Sequence, residues 1–184
     1  MPSKRSSRYI RPDLIPMRLT SRDEKIITRC FEDKLLSSSD LLQLFFQTRQ
    51  RCNRRLQKLY SQHYLDRHYF YTPQPLSGSQ DALYSLGKRG IDVVTLKKGI
   101  PREQVQRARQ KFQRQLKSYS VLFTLAHIKA VAKVRIAFEK AFKKHQRAEL
   151  INWIPERLLE QRFKADDKRL KLRPDGFMQY KIRA

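Results

Sequence analysis

The sequence predicts a mainly α chain with a small β-hairpin, an α+β fold in which an N-terminal winged helix-turn-helix leads into a long helix and short C-terminal strands. Three observations carry this. Three helical segments follow one another across tight breaks, and the third is strongly basic. An aromatic-rich strand, a Pro/Gly/Ser turn and a second short strand come directly after it. Much later, residues 119–145 hold the longest apolar period in the chain.

Residues 1–18 are basic and interrupted by Pro2, Pro12 and Pro16. They read as a flexible basic arm. The winged-helix domain spans 19–96. Its first helix begins at Ser21, with Ser21-Arg22-Asp23-Glu24 as a capping box. Ile26, Ile27, Cys30, Phe31 and Leu35 form the inner face. The run Ser37 to Asp40 breaks that helix and caps a short second one, Leu41 to Phe46. This second helix is apolar apart from Gln43 and so is expected to be buried on several sides.

Gln47-Thr48 separates it from the third helix, with Thr48 as the cap. Between Arg49 and Lys58 there are five cations and no acid. At 3.6 residues per turn, Cys52, Leu56 and Leu59 line one face. Gln50, Arg51, Arg54, Gln57 and Lys58 point away from it, flanked by Asn53 and Arg55. Guanidinium forks suit guanine and amides suit adenine in a major groove. Arg51, Asn53, Arg54 and Gln57 are therefore candidates for base edges, and Arg49, Arg55, Lys58 and Arg67 for phosphates.

Leu65 to Tyr71 reads as a strand, Thr72 to Gln80 as a turn and Ala82 to Leu86 as a second strand. Together they form the wing. About half of Tyr64, Tyr69, Phe70 and Tyr71 should fill the wing core, and the others are able to stack on bases. Gly87-Lys88-Arg89-Gly90 ends the hairpin, and Ile91 to Leu96 starts a further helix. Residues 97–118 form either a basic linker or a thin amphipathic helix. Lys97, Lys98, Arg102, Arg107, Arg109, Lys111, Arg114 and Lys117 face a single acid, Glu103, while Val105, Ala108, Phe112 and Leu116 recur at helical spacing. Lys97 and Lys98 join the candidate DNA contacts.

Residues 119–184 comprise the long helix and a small α/β region. Leu122, Leu125, Ala126, Ala130, Val134, Ala137, Phe138, Ala141 and Phe142 make a broad apolar face on the helix. Short C-terminal strands do not easily cover it, so a homodimer is expected, presenting two winged helices to one duplex. Glu149 to Ile154 is strand-like, Pro155-Glu156 stops it, and Arg157 to Phe163 reads as a helical turn. Arg173 to Tyr180 ends as a strand, with Trp153 as a core residue.

Composition narrows the function classes. Lys and Arg number 41 against 17 Asp and Glu, a formal charge of +24 in 184 residues. Such self-repulsion calls for a polyanion, and double-stranded DNA is the first choice. Structured RNA, as in a ribosome-associated binder, is the alternative. No run is long and apolar enough for a membrane span, and the N-terminus has no h-region after its basic residues. A cytoplasmic, nucleoid- or plasmid-associated protein is expected. Cys30 and Cys52 sit on apolar stripes and read as buried thiols. His63, His68, His127 and His145 show no metal spacing, and no glycine-rich phosphate loop or nucleophile elbow is present. No cofactor and no metal are expected.

Several phrases resemble a known family. Leu19-Thr20-Ser21-Arg22-Asp23-Glu24-Lys25-Ile26 followed by Leu36 to Phe45 resembles the opening of many winged-helix proteins. Tyr84-Ser85-Leu86-Gly87-Lys88-Arg89-Gly90 is similar to the phrase that closes their wing. With Leu125-Ala126-His127, Trp153-Ile154-Pro155-Glu156 and Arg173-Pro174-Asp175 in that order, residues 19–180 resemble the replication-relaxation family of plasmids and other mobile elements. The resemblance implies a DNA-binding accessory protein for replication, maintenance or transfer, working beside replication or transfer proteins.

The resemblance also implies a nuclease-like C-terminal half. Pro174-Asp175 would supply one carboxylate and Glu156 or Glu139 another, for a metal-dependent nuclease or nicking accessory. The Glu-x-Lys strand expected after Tyr180 is not found in Lys181-Ile182-Arg183-Ala184. A truncated or relic nuclease region, with Asp175 capping a turn before Gly176, is therefore favoured over a catalytic one.

Overall fold

The computed structural model describes residues 11–70, 81–118, 121–144, 148–156, 159 and 174–182. They fall into two compact units, Met1–Thr124 and Leu125–Ala184. The mainly α, α+β character holds throughout.

In the first unit α1 (Ser21–Glu32) starts one residue earlier in its capping logic than the sequence suggests. Thr20, not Ser21, is the cap: its hydroxyl accepts from Asp23 N while Asp23 accepts from Thr20 N at 2.7 Å. Two overlapping boxes competed. Asp23 is fully buried and held by Arg55, whereas the Glu24 carboxylate turns to Lys97 Nζ at 2.8 Å. A two-residue strand, β1 (Leu36–Ser37), follows, which periodicity cannot reveal at that length. Ser37 also caps α2 (Ser38–Phe45) in a reciprocal box with Asp40.

Only Leu41 of the apolar residues in α2 is buried; Leu42, Leu44, Phe45 and the following Phe46 stay partly exposed. The expectation of burial on several sides is corrected. With eight residues, α2 has just one face turned to the core. Arg22 covers part of the remainder, its guanidinium 4.6 Å from the Phe46 ring.

The basic helix α3 (Arg49–Ser61) buries Cys52, Leu56 and Leu59, the stripe its sequence spells, and adds Tyr60 and Ser61. Thr48 occupies the cap position, but its side chain makes no cap hydrogen bond. Its backbone carbonyl alone accepts from Cys52. Strands β2 (Leu65–His68) and β3 (Leu83–Leu86) pair antiparallel, Leu65 opposite Leu86. β1 pairs with the other edge of β3, so the sheet runs β1-β3-β2. The expected turn 72–80 lies outside the described residues.

Gly87 and Gly90 close the hairpin where the chain has no room for a side chain. A Cβ on Gly87 would overlap the His63 carbonyl oxygen and the Tyr64 backbone; one on Gly90 would meet the Tyr64 carbonyl. This contact turns the chain into α4 (Gly90–Lys98), which Gly99 ends at φ 63°. Of the two readings of 97–118, the helical one is seen: α5 (Arg102–Gln115) buries Val105 and Phe112. The core joins Ile26, Ile27, Leu35, Leu36, Leu41, Leu56, Leu59, Leu65, Val94 and Val105, each fully buried. Both cysteines are buried and free. Burial pushes the Cys30 thiol far up and, against the pull of Arg49 and Arg22, pushes Cys52 up to about 11.

In the second unit α6 (Val121–Lys144) lies with a hairpin of β4 (Ala148–Pro155) and β5 (Gly176–Ile182). The pairing is antiparallel, with a shift between Leu150 and Asn152 that leaves Ile151 as the extra residue of a bulge. The helix buries Leu125, Ile128, Ala132, Arg135 and Ile136. Apart from Leu125, these lie on the face opposite the one the sequence favours. Leu122, Val134 and Phe138 remain exposed, at 52%, 50% and 41%. The alanines that widen the expected face offer little apolar area. Leu125, Ile128 and Ile136 offer more, and the hairpin supplies a partner on that side, Trp153 under the Arg135 guanidinium at 5.4 Å; of the expected face, Phe142 meets the hairpin at Tyr180, ring centres 5.6 Å apart. Trp153 is half-buried, not a full core residue. The expected helical turn 157–163 lies almost wholly outside the described residues.

Candidate nucleic-acid interface

The acids of the first unit sort its cations. Asp23 takes Arg55, with Arg55 Nε 2.7 Å from Asp23 Oδ1, and a second Arg55 nitrogen donates to the Arg18 carbonyl. Burial would raise the Asp23 carboxyl. The hydrogen bonds from Arg55 and Thr20, with the Arg55 charge, outweigh it and hold Asp23 below the usual carboxylate range. Arg55 is held above its ordinary value by the same hydrogen bond. Arg29 pairs with Asp33 at 2.5 Å, Lys98 with Glu32, and Arg102 with Asp92 at 2.8 Å.

Asp66 on β2 takes two guanidinium groups, Arg11 at 2.8 Å and Arg109 at 2.7 Å. Arg11 also lies 4.0 Å from the Tyr60 ring centre. The Ile15 amide donates to Ser61 Oγ, and Gln62 donates to the Ile15 carbonyl at 2.9 Å. The N-terminal segment is thus held along α3 from Arg11 onward. The rest of the expected arm, residues 1–10, is outside the described residues.

After this sorting, the outward side of α3 remains. Gln50, Arg51, Asn53, Arg54 and Gln57 are exposed, and Lys58 is half-buried. Arg51, Arg54 and Lys58 pair with no acid among the described residues. Arg49 begins the helix and lies 3.7 Å from Asp81, whose carboxylate also accepts from Ser38 Oγ at 2.9 Å. Arg67 packs between rings, 4.4 Å from Tyr60 and 5.5 Å from Tyr69.

Between α3 and the hairpin lies a polar cleft of about 470 Å³, lined by Arg49, Asn53, Gln57, Arg67, Tyr69 and Asp81 among others. The sequence-derived candidates therefore divide. Arg51, Asn53, Arg54, Gln57 and Lys58 share one outward face, and Arg49 and Arg67 border the adjoining cleft. Arg55, Lys97 and Lys98 are engaged by acids of α1. Sequence reasoning missed Asp81 and Ser38 at the cleft and the Asp66 hub. A charged residue's partner many positions away leaves no periodic trace.

In the second unit, Glu156 N donates to the Asp175 carbonyl at 3.3 Å, so the backbones of the two carboxylate candidates adjoin at one end of the hairpin. The Asp175 side chain accepts from or pairs with His127 Nε2 at 2.9 Å, instead of capping the turn before Gly176 as expected. Glu139 accepts from Arg135 at 3.2 Å. Among the described residues, no three His, Cys, Asp or Glu side chains converge as a metal site. No helix there is long and apolar enough to cross a membrane.

A family model described as replication-relaxation matches residues 31–183. No curated protein and no solved structure matches the chain.

Proposed function

The chain belongs to the replication-relaxation family, and from that premise we propose that it is a double-stranded-DNA-binding accessory or regulatory protein acting in plasmid or mobile-element replication, maintenance or transfer. The first unit is a winged helix on this reading. The order α1-β1-α2-α3-β2-β3 supports it, with α3 as the recognition helix and the hairpin as the wing. Arg51, Asn53, Arg54 and Gln57 read base edges, while Arg49, Lys58 and Arg67 hold phosphates. Arg55, Lys97 and Lys98 serve chiefly to join α1 to α3 and α4. Replication or transfer proteins are the further partners, and the protein works at the nucleoid or plasmid.

One observation carries the reading. The acids of the unit neutralise the cations that hold its elements together, and they leave the forks and amides of α3 facing outward. Replacing Arg51 and Arg54 with Ala should cost about 1–3 kcal/mol for each base contact in a gel-shift assay and relax sequence preference. Unchanged affinity and preference would sink the α3 assignment. Tighter binding to structured RNA than to duplex DNA at equal salt would sink the DNA reading. The exposed face of α6 supports a homodimer in which two winged helices meet one duplex, with half-sites about one helical turn apart or a multiple of it.

A further inference from the structure

We infer that α5 forms a second phosphate-tracking surface, which takes a duplex segment other than the one docked on α3. The identity of the polyanion rests on the DNA-binding reading above; the surface itself rests on α5. Val105 and Phe112 anchor the helix, and Arg109 on its inner side donates to the Leu86 carbonyl at 3.0 Å and to Asp66. Arg107, Lys111 and Arg114 lie on the opposite side at spacings of four and three, and all three are exposed.

The paired cations of the unit mark these three as different. Every cation that packs α5 or α4 onto a neighbour has its carboxylate: Arg109 has Asp66, Arg102 has Asp92, Lys97 has Glu24 and Lys98 has Glu32. Arg107, Lys111 and Arg114 have none among the described residues. Glu103, the one acid on α5, stands a turn away at its start.

At 1.5 Å per residue the three span about 10 Å of helix. Duplex DNA carries one charge per about 1.7 Å of its axis, so about six phosphate charges lie along that length. A solvated face needs no such alignment, and no pairing elsewhere in the unit accounts for it. α3 packs on α2 and β2, whereas α5 packs on α4 and reaches β2 through Arg109 and Gln113, which both donate to Asp66. Arg107, Lys111 and Arg114 lie on the side of α5 turned away from that shared strand. The protein would hold two duplex segments at once.

The test uses the full chain and two short, differently labelled duplexes too short to fold back. One carries the sequence selected by the protein, and the other is unrelated. Energy transfer between labels reports bridging, and anisotropy reports the first duplex alone. In the variant Arg107→Gln/Lys111→Gln/Arg114→Gln, preference for the selected duplex should persist and bridging should be lost. Three contacts at about −0.9 each change the salt slope of second-duplex capture by about 2.7. Raising salt from about 50 to about 200 mM should then weaken capture by the wild type about 40-fold through these three contacts.

The charge-keeping variant Arg107→Lys/Arg114→Lys should bridge like the wild type. Bridging that survives in the Gln variant would overturn the inference, since two α3 helices of a dimer would then suffice. Displacement of the second duplex by structured RNA at equal phosphate would also overturn it. Failure of the underlying DNA reading looks different: the selected duplex then binds the Arg51→Ala/Arg54→Ala variant as tightly as the wild type.

Discussion

Removing the Asp23 carboxylate tests whether Arg55 belongs to the fold or to the DNA face. Asp23 is fully buried at the start of α1, and the Arg55 side chain is 18% exposed on α3, so their ion pair ties the two helices with little help from water. Breaking a buried pair by removing one partner costs about 3–5 kcal/mol, because the remaining charge stays buried without compensation. The two single changes are not equivalent. In Arg55→Ala, Asp23 keeps only the donors of Thr20, so the cost should lie near the top of that range. In Asp23→Ala, Arg55 keeps the Arg18 carbonyl and some water, which lowers the penalty. The lost capping box restores about 1 kcal/mol of it. A double-mutant cycle in urea should give a coupling of about 2 kcal/mol or more between the two sites.

The pH dependence has a definite sign. Because the folded Asp23 carboxyl sits below its ordinary value, its stabilisation is complete above the unfolded pKa of about 3.9 and is lost as pH falls through the folded value. Asp23→Ala should flatten that acid limb. At a temperature where both fold, Arg55→Ala should weaken DNA binding far less than Arg51→Ala. A coupling below about 0.5 kcal/mol, with DNA binding equally sensitive to Arg55 and Arg51, would refute the structural role and return Arg55 to the phosphate contacts.

Other outcomes follow from the same geometry. Burial, with the charges of Arg109 and Arg11, lowers the His68 pKa against the opposing pull of Asp66. Its contribution to stability is therefore complete above about pH 6.5 and declines as pH falls towards the folded value; urea midpoints of His68→Gln that keep the same loss below pH 6.5 would contradict this. Gly87→Ala should destabilise the first unit by about 1–3 kcal/mol, because the His63–Leu65 backbone occupies the space of a Cβ; an unchanged melting curve would refute the tight approach. Val134→Asp with Phe138→Asp should convert a dimer to a monomer in sedimentation while helix content persists. A wild type that is already monomeric on and off DNA removes the dimer.

Local chemistry was largely legible in the sequence. The split of α3 into Cys52, Leu56 and Leu59 on one side and Arg51, Arg54 and Gln57 on the other follows from the helical period alone, and the structure keeps it. The Ser37–Asp40 cap and the mainly α character are also properties of short stretches of chain, where each residue's partner lies within a few positions. What only the tertiary structure decided are choices between equivalent local options. Thr20–Asp23 won over Ser21–Glu24 because Arg55, distant in sequence, stabilises a buried Asp23. Among similar cations, Lys97, Lys98 and Arg109 were drawn to acids while Arg107, Lys111 and Arg114 were left outward, since pairing depends on which elements meet and not on spacing. On α6, two apolar faces competed, and the one that meets the hairpin at Trp153 was buried. Periodicity reveals that a helix has an apolar face; only packing reveals which face is covered.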